Sequence, residues 1–191
     1  LTRKIPVSII GEAGFLENLI EREKSLYETE KRLLDAVFSV AGIAVLLPFL
    51  PLIALAIFLD SKGPVLYSQT RVGRNGRSFH VLKFRTMVAH AEAGGVKWTS
   101  ERDARITRVG RFLRNMRIDE LPQLWNIFRG DMSFIGPRPE RPEFVEKLEK
   151  EVPHYRMRLL VRPGLTGWAQ VHEPLGGASV ADTLEKLQYD L

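Results

Sequence analysis

Residues 36–59, AVFSVAGIAVLLPFLPLIALAIFL, run for 24 positions without a charge and dominate the pattern of the chain. Fifteen of them are Leu, Ile, Val or Phe, each favouring insertion at membrane depth by roughly 0.3–0.6 kcal/mol, against about +3 kcal/mol for a charge. A core helix of a soluble domain seldom runs so long without a polar face, so the segment is expected to meet lipid. At about 1.5 Å per residue it reaches roughly 36 Å as a straight helix, enough to cross a bilayer. Pro48 and Pro51 stand at its middle, where each removes a backbone donor and favours a sharp break. Lys31 and Arg32 precede it; Lys62, Arg71, Arg74 and Arg77 follow it. Basic residues on both flanks give no orientation and suit both ends lying in the cytoplasm. On the residues alone, a proline-kinked span and a re-entrant helix–break–helix both stay open.

The remainder has shorter periods. Glu12–Lys31 carries Phe15, Leu16, Leu19, Ile20, Leu26 and Tyr27 at helical spacing and reads as a connecting helix. VLYSQTRV and RSFHVLKF favour strands, and Asn75-Gly76 between them predicts a β-hairpin. Residues 103–129 read as helical with a break near Pro122 and an apolar set of Leu113, Met116, Ile118, Leu121, Leu124, Trp125 and Phe128. Pro142–Lys150 begins another helix, Arg162-Pro163-Gly164 suits a type II turn, and Thr183–Leu191 starts a last helix. The expected class is α+β, mainly helical, with one small hairpin. The pattern divides the chain into a polar stretch at 1–30, a membrane helix at 31–60 and the remainder at 61–191.

Composition narrows the chemistry. The chain has 191 residues and no cysteine, which excludes a disulfide framework, a thiolate metal site and a cysteine nucleophile. Its four histidines make no zinc-binding spacing. Between Arg71 and Arg117 twelve basic residues face three acidic ones, a local excess of nine on a chain whose total is +5. Such a block beside a lipid-contacting segment calls for anions: phospholipid headgroups, a phosphorylated substrate or nucleic acid. Phe79, Phe84, Trp98 and Phe112 near it could stack bases, but a lipid-embedded segment argues against a nucleic-acid partner. Carboxylates are then the candidate reactive groups. Asp119-Glu120 follows the block in RNMRIDELPQLWN, between Arg114 and Arg117 on one side and LPQLWNIF on the other. Neighbours on a helix point about 100° apart, so one could face a reacting atom and the other a metal ion. Lys83 and Arg85 in LKFRTM, and Arg138 in the stiff Gly136-Pro137-Arg138-Pro139 loop, are further candidates. A non-catalytic module docking on anionic lipid through the basic block is the alternative reading.

DSKGPVLYSQTRVGRNGRSFHVLKFRTM, IDELPQLWNIFRGDMSFIGPRP and VRPGLTGWAQV, in that order, resemble the bacterial sugar transferases called monotopic phosphoglycosyl transferases, over about Lys31 to Leu191. The resemblance implies transfer of a sugar phosphate from a UDP-sugar to a membrane polyprenyl phosphate, such as undecaprenyl phosphate. UMP is released, Mg²⁺ is required, and exopolysaccharide or O-antigen assembly begins. It implies Asp119 as the nucleophile of a covalent phosphosugar intermediate, Glu120 as metal ligand, and Arg114 near the phosphates. Lys83, Arg85, Pro137, Arg138 and Arg162 would bind substrate. The resemblance also implies that 1–30 is a connector from a missing upstream region and that 61–191 is a catalytic domain truncated at its C-terminus. The apolar segment would be re-entrant, broken at Pro48 with Pro51 nearby, although Leu47 stands where many members have Ser. The expected location is the cytoplasmic face of a bacterial inner membrane, in contact with phospholipid, and a homodimer is one assembly open to it.

Overall fold

The computed structural model describes residues 23–89, 91, 103–172 and 180–190. Residues 12–22 of the connecting stretch, Lys97, Trp98, Arg102 and Leu191 lie outside the described residues. The architecture is α+β and mainly helical.

Helix α1 (Glu23–Leu46) runs without interruption across the Glu30–Lys31 junction into the apolar segment. A single 3-10 turn, Leu47–Phe49, separates it from α2 (Leu50–Asp60). Both prolines sit in first-turn positions, where a missing N–H matters least. Pro48 has no N–H for the carbonyl of Ala44, and the Leu50 N–H bonds the Leu47 carbonyl, so the ladder changes register there. The helical run Tyr27–Asp60 is 34 residues, long and apolar enough to cross a membrane, and Leu47, Phe49, Leu52 and Phe58 are all more than half exposed.

Both ends of this run are tied to the same globular body. Near one end, the Arg32 guanidinium donates to the carbonyls of Ile127 (2.6 Å) and Phe128, and Asp35 accepts from the Phe134 N–H at 3.2 Å. At the other, Asp60 accepts from the Val109 N–H at 2.8 Å, and Arg85 donates to the carbonyls of Ser61 and Lys62.

The globular body is organised around a hairpin of β1 (Leu66–Val72) and β2 (Ser78–Phe84), paired antiparallel from Leu66 opposite Phe84 to Val72 opposite Ser78. Its turn places Asn75 and Gly76 at φ 57° and 74°, the geometry that Asn-Gly favours. The hairpin feeds three small cores. Val72 packs with Val145, Val152, Tyr155 and Leu187; Val81 with Leu124, Ile127 and Met132; Phe84 with Ile57 and Leu113. Ile57 carries the end of the membrane segment into the last of these.

Helices α3 (Arg108–Asn115) and α4 (Gln123–Arg129) do not form the single expected helix broken near Pro122. The break comes earlier, at Arg117, which adopts the left-handed φ of 57°, and a 3-10 turn, Ile118–Glu120, fills the gap. Met116, Trp125 and Phe128 therefore face outward instead of joining Leu113 and Leu124 in the interior. A short parallel pair, β3 (Ser133–Ile135) and β4 (Gly164–Thr166), was not expected, because three-residue strands leave no periodicity to read. Gly164 opens β4 with no positive φ, so the expected type II turn is absent. Helix α5 (Pro142–Glu151), the 3-10 stretch Tyr155–Leu160, α6 (Trp168–His172) and α7 (Val180–Asp190) complete the body, α7 starting three residues before the expected Thr183.

Helix α3 lies hard against the end of the hairpin. The Thr107 hydroxyl caps it through the Gly110 N–H at 3.0 Å, and a Cβ at Gly110 would fall 2.1 Å from the Thr86 carbonyl oxygen. In a free helix Gly→Ala stabilises by roughly 0.8–1 kcal/mol. Here Gly110→Ala is expected to destabilise by about 1–3 kcal/mol through overpacking, lowering the melting temperature by several degrees in detergent-solubilised protein followed by circular dichroism. A melting temperature at or above that of the parent would reject this close contact.

Candidate active site

The 3-10 turn presents Asp119 and Glu120 side by side at the junction of α3 and α4, each only 8% exposed. They are not on a helix, as the sequence suggested; the left-handed Arg117 turns the chain and brings both carboxylates inward. Such backbone conformations cost of order 1–3 kcal/mol and cluster where function requires them.

Glu120 is held from two sides. Its Oε1 accepts from Lys83 Nζ at 2.7 Å and from Arg138 Nη2 at 2.9 Å. Burial would raise its pKa, but the two cations overcome this and hold it down to about 2. Its folded value lies below the ordinary 4.5, so the pairing stabilises the fold above that pH and is lost as pH falls towards 2. The Lys83 pKa is lowered as well, by burial and by Arg138, despite the opposing charge of Glu120.

Asp119 has a different environment. Among the described residues none donates a hydrogen bond to its carboxylate. Burial and the neighbouring charge of Glu120 raise its pKa, while Lys83, Arg114 and Arg117 oppose the rise. The result is a buried carboxylate, unpaired among the described residues, in a field of cations, beside a second carboxylate whose Oε1 is committed to two ion pairs. Arg114 is oriented by a bond from its Nε to the Thr86 hydroxyl at 2.8 Å.

The loop carrying Arg138 is fixed through its backbone. Arg71 Nη1 donates to the Pro139 carbonyl at 3.0 Å, and Arg158 Nη2 to the Arg138 carbonyl at 3.0 Å. The Pro137 carbonyl accepts from the Gly164 N–H at 2.9 Å, and the Gly136 N–H donates to the Thr166 carbonyl at 3.0 Å. A Cβ on Gly164 would stand 2.2 Å from the Gly136 nitrogen, so glycine is needed there for close approach, not for a turn. Arg158 is itself buried, paired with Asp190 at 2.9 Å and bonded to the Tyr155 hydroxyl at 2.9 Å.

Of the candidate residues, Asp119, Glu120, Lys83 and Arg138 converge, with Arg114 in electrostatic reach of Asp119. Arg85 is buried and spends its guanidinium on the carbonyls closing the membrane segment. Arg162 is half-buried next to Pro163, whose carbonyl accepts from the Ser133 N–H. Several supporting residues escaped the sequence reading: Arg71, Arg158 and Asn126. The last, 1% exposed, bonds the backbone of β2 at both His80 and Leu82. Its only signal was an amide inside an otherwise apolar LWNIF.

The family model described as bacterial sugar transferase matches residues 26–191. Over 165 residues, 86% of this chain and 39% of the relative, it is 43% identical to a UDP-N-acetylgalactosamine-undecaprenyl-phosphate N-acetylgalactosaminephosphotransferase of Aeromonas hydrophila. Over 159 residues, 83% of this chain and 60% of the relative, it is 44% identical to a UDP-glucose:undecaprenyl-phosphate glucose-1-phosphate transferase of Caulobacter vibrioides. An exopolysaccharide production protein of Rhizobium leguminosarum is 45% identical over 145 residues, 74% of this chain and 72% of the relative. The chain thus spans about two-fifths of the Aeromonas relative and three-fifths of the Caulobacter one. A match from residue 26 to the last residue, with the dyad, the hairpin and the GPRP loop all inside it, makes this chain a member of the bacterial sugar transferase family.

Proposed function

We propose that the protein is a phosphoglycosyl transferase that moves a sugar 1-phosphate from a UDP-sugar to a polyprenyl phosphate at the cytoplasmic face of the membrane, releasing UMP. The observation that carries the reading is the asymmetry of the dyad: Glu120 is locked between Lys83 and Arg138, while the buried carboxylate of Asp119 has no donor among the described residues. A carboxylate free of hydrogen bonds keeps its lone pairs for attack.

In the first half-reaction an Asp119 oxygen attacks the β-phosphorus of the UDP-sugar. The bond from that phosphorus to the bridging oxygen breaks, and UMP leaves with the bridging oxygen. In the second, an oxygen of the polyprenyl phosphate attacks the same phosphorus and the aspartyl–phosphorus bond breaks. The products are polyprenyl diphosphate sugar and the free carboxylate. Like charges repel at both steps, and Lys83, Arg114 and Arg138 surround the place where that charge gathers. Among the described residues no three His, Asp or Glu side chains come together as a metal site. With Glu120 Oε1 already engaged, a Mg²⁺ ion would be held by the other carboxylate oxygen of Glu120 together with diphosphate oxygens, a mode that suits this ion. Bound there, it would neutralise charge on the transferring phosphoryl group.

Membrane attachment is supported by the exposed apolar helices and by Phe112, Met116, Trp125 and Phe128, exposed on α3 and α4 alongside Arg108 and Arg111. Apolar and aromatic side chains mixed with arginine suit a headgroup layer. Since both ends of the apolar run bond to one body, a re-entrant path fits better than a span. Relatives of near-equal identity carry N-acetylgalactosamine or glucose in their names, so the donor sugar of this protein is a matter for assay.

Asp119→Asn is expected to lower UMP release from a panel of UDP-sugars by roughly 10³-fold or more; near-parental release would remove Asp119 from the nucleophile role. Glu120→Gln should weaken activation by Mg²⁺, and an unchanged Mg²⁺ titration, read by both rate and Mn²⁺ binding in electron paramagnetic resonance, would take the metal away from Glu120.

The pH profile gives an independent test. With the Asp119 pKa raised, the acid limb of the first half-reaction should lie above the ordinary 3.8 of an aspartate. Lys83 holds that pKa down, so Lys83→Met makes ionisation harder and should move the limb further towards neutrality. A limb that stays in place, or moves to lower pH, would contradict the electrostatics described here.

A further inference from the structure

A second buried ion pair lies behind the GPRP loop. Arg158 and Asp190 stand 2.9 Å apart, their side chains 7% and 3% exposed. Each is brought inward by its own element. Leu187 of α7 sits in the core with Val72, Val145, Val152 and Tyr155, and Asp190, three residues on, shares its face. His154 adopts the left-handed φ of 59° and turns the chain into the 3-10 stretch whose buried members are Tyr155 and Arg158. Resting on the function proposed above, we infer that Arg158, anchored by Asp190, is a positioning residue for the transfer: it holds the GPRP loop where Arg138 meets Glu120.

Three features assign that role. The first is where the bond falls. Arg158 Nη2 donates to the carbonyl of Arg138 itself at 3.0 Å, while Arg138 Nη2 reaches Glu120 Oε1 at 2.9 Å. One residue thus has its backbone held from behind and its side chain on the dyad. Arg71 grips the next carbonyl, that of Pro139, but divides its fork between that atom, Gln69 and Glu140. The second is commitment. Arg158 Nη1 donates to the Tyr155 hydroxyl at 2.9 Å, and its guanidinium carbon stands 5.3 Å from the centre of the same ring. A planar fork fixed in this way aims its other nitrogen at the loop, which a lysine ammonium would not do.

The third feature is charge. Asp190 Oδ2 meets Arg158 as an ion pair without an aligned hydrogen bond, so it serves as counter-charge and leaves the directional bonds to Tyr155 and the loop. Burial would lower the Arg158 pKa, but Asp190, Tyr155 and Glu140 overcome this and raise it. A buried ion pair adds little net stability over apolar residues of similar volume. What this pair contributes is the placing of Arg138, and a misplacement of about 1 Å at a reacting centre can cost roughly 10²-fold in rate.

The test uses the whole chain in nanodiscs. Combining Arg158→Met with Asp190→Leu removes both charges together, so neither is stranded and the melting temperature should stay near that of the parent. Turnover, kcat for UMP release, should nevertheless fall at least roughly tenfold, with half-saturation by the UDP-sugar changed less than about threefold. Arg158→Lys keeps a cation opposite Asp190, loses the fork and should lose kcat to a similar degree. Coupling shows whether the effect runs through Arg138. In an Arg138→Met background, adding Arg158→Lys should lower kcat by less than about twofold more. Parental kcat in both Arg158 variants, a change confined to half-saturation, or losses that multiply in the double variant would overturn the assignment.

An arm without turnover separates this proposal from the transferase reading. The Gly136 and Gly164 amides, bonded to the Thr166 and Pro137 carbonyls, should exchange hydrogen at least about tenfold faster in Arg158→Lys, read by mass spectrometry. Amides of the β1–β2 hairpin should keep their parental rates. Unchanged exchange at the two glycines, or equal acceleration in the hairpin, would overturn the positioning role. A parent chain that releases no UMP would count against the transferase reading, and the exchange rates would still decide whether Arg158 holds the loop.

Discussion

The carboxylate of Glu120 organises the site because two cations distant in the chain meet on one of its oxygens. Lys83 arrives from the end of β2 and Arg138 from the GPRP loop. A buried ion pair of this kind is no guarantee of net stability, since desolvation offsets much of the attraction. What it does fix is geometry. Once the hairpin, the dyad turn and the loop share one oxygen atom, none can shift without stranding a buried charge. Asp119 inherits that geometry through the peptide bond it shares with Glu120; burial and Glu120 raise its pKa while Lys83, Arg114 and Arg117 oppose the rise, and among the described residues none donates it a hydrogen bond.

Around this centre, support is given mainly to backbone. Arg71 and Arg158 hold two successive carbonyls of the GPRP loop, Arg32 holds the carbonyls ending α4, and Arg85 holds those ending the membrane segment. Guanidinium groups suit this work because their planar forks reach two acceptors at once and remain charged when buried. The arginine excess therefore has two populations. Arg77, Arg108, Arg111 and Arg117 are exposed and available to anionic surroundings, whereas Arg71, Arg74, Arg85 and Arg105 are spent on ion pairs or carbonyls inside the protein.

That division explains what could be read from the sequence. The hairpin was legible because Asn75-Gly76 and the flanking alternation act locally. So was an irregularity at the prolines, seen as the 3-10 turn Leu47–Phe49, which follows from covalent geometry. Asp119 and Glu120 stood out as charges set against apolar sequence. The dyad's surroundings were not legible: nothing near Arg117 announces a left-handed residue, and a helical reading of residues 103–129 put the dyad on the wrong kind of element. Arg85 and Arg158 look alike in sequence to any other arginine, because their partners are carbonyls tens of residues away. Gly164 followed a proline and so suggested a turn, while the true demand on it comes from Gly136 across the β3–β4 pair.

Under the function proposed above, the same arrangement favours a two-step route. A soluble diphosphate donor and a lipid-borne phosphate acceptor would both be anions, and both would draw on Lys83, Arg114 and Arg138. Seating them together would gather several negative charges around one set of cations already partly neutralised by Glu120. Taking the phosphosugar onto Asp119 would discharge the first anion as UMP before the second arrives, so each would meet the positive field in turn. Ile118 and Leu121 face an apolar trough beside the membrane helices, while Glu120 between them faces the cations. A turn only three residues long thus stands between an apolar and a charged environment.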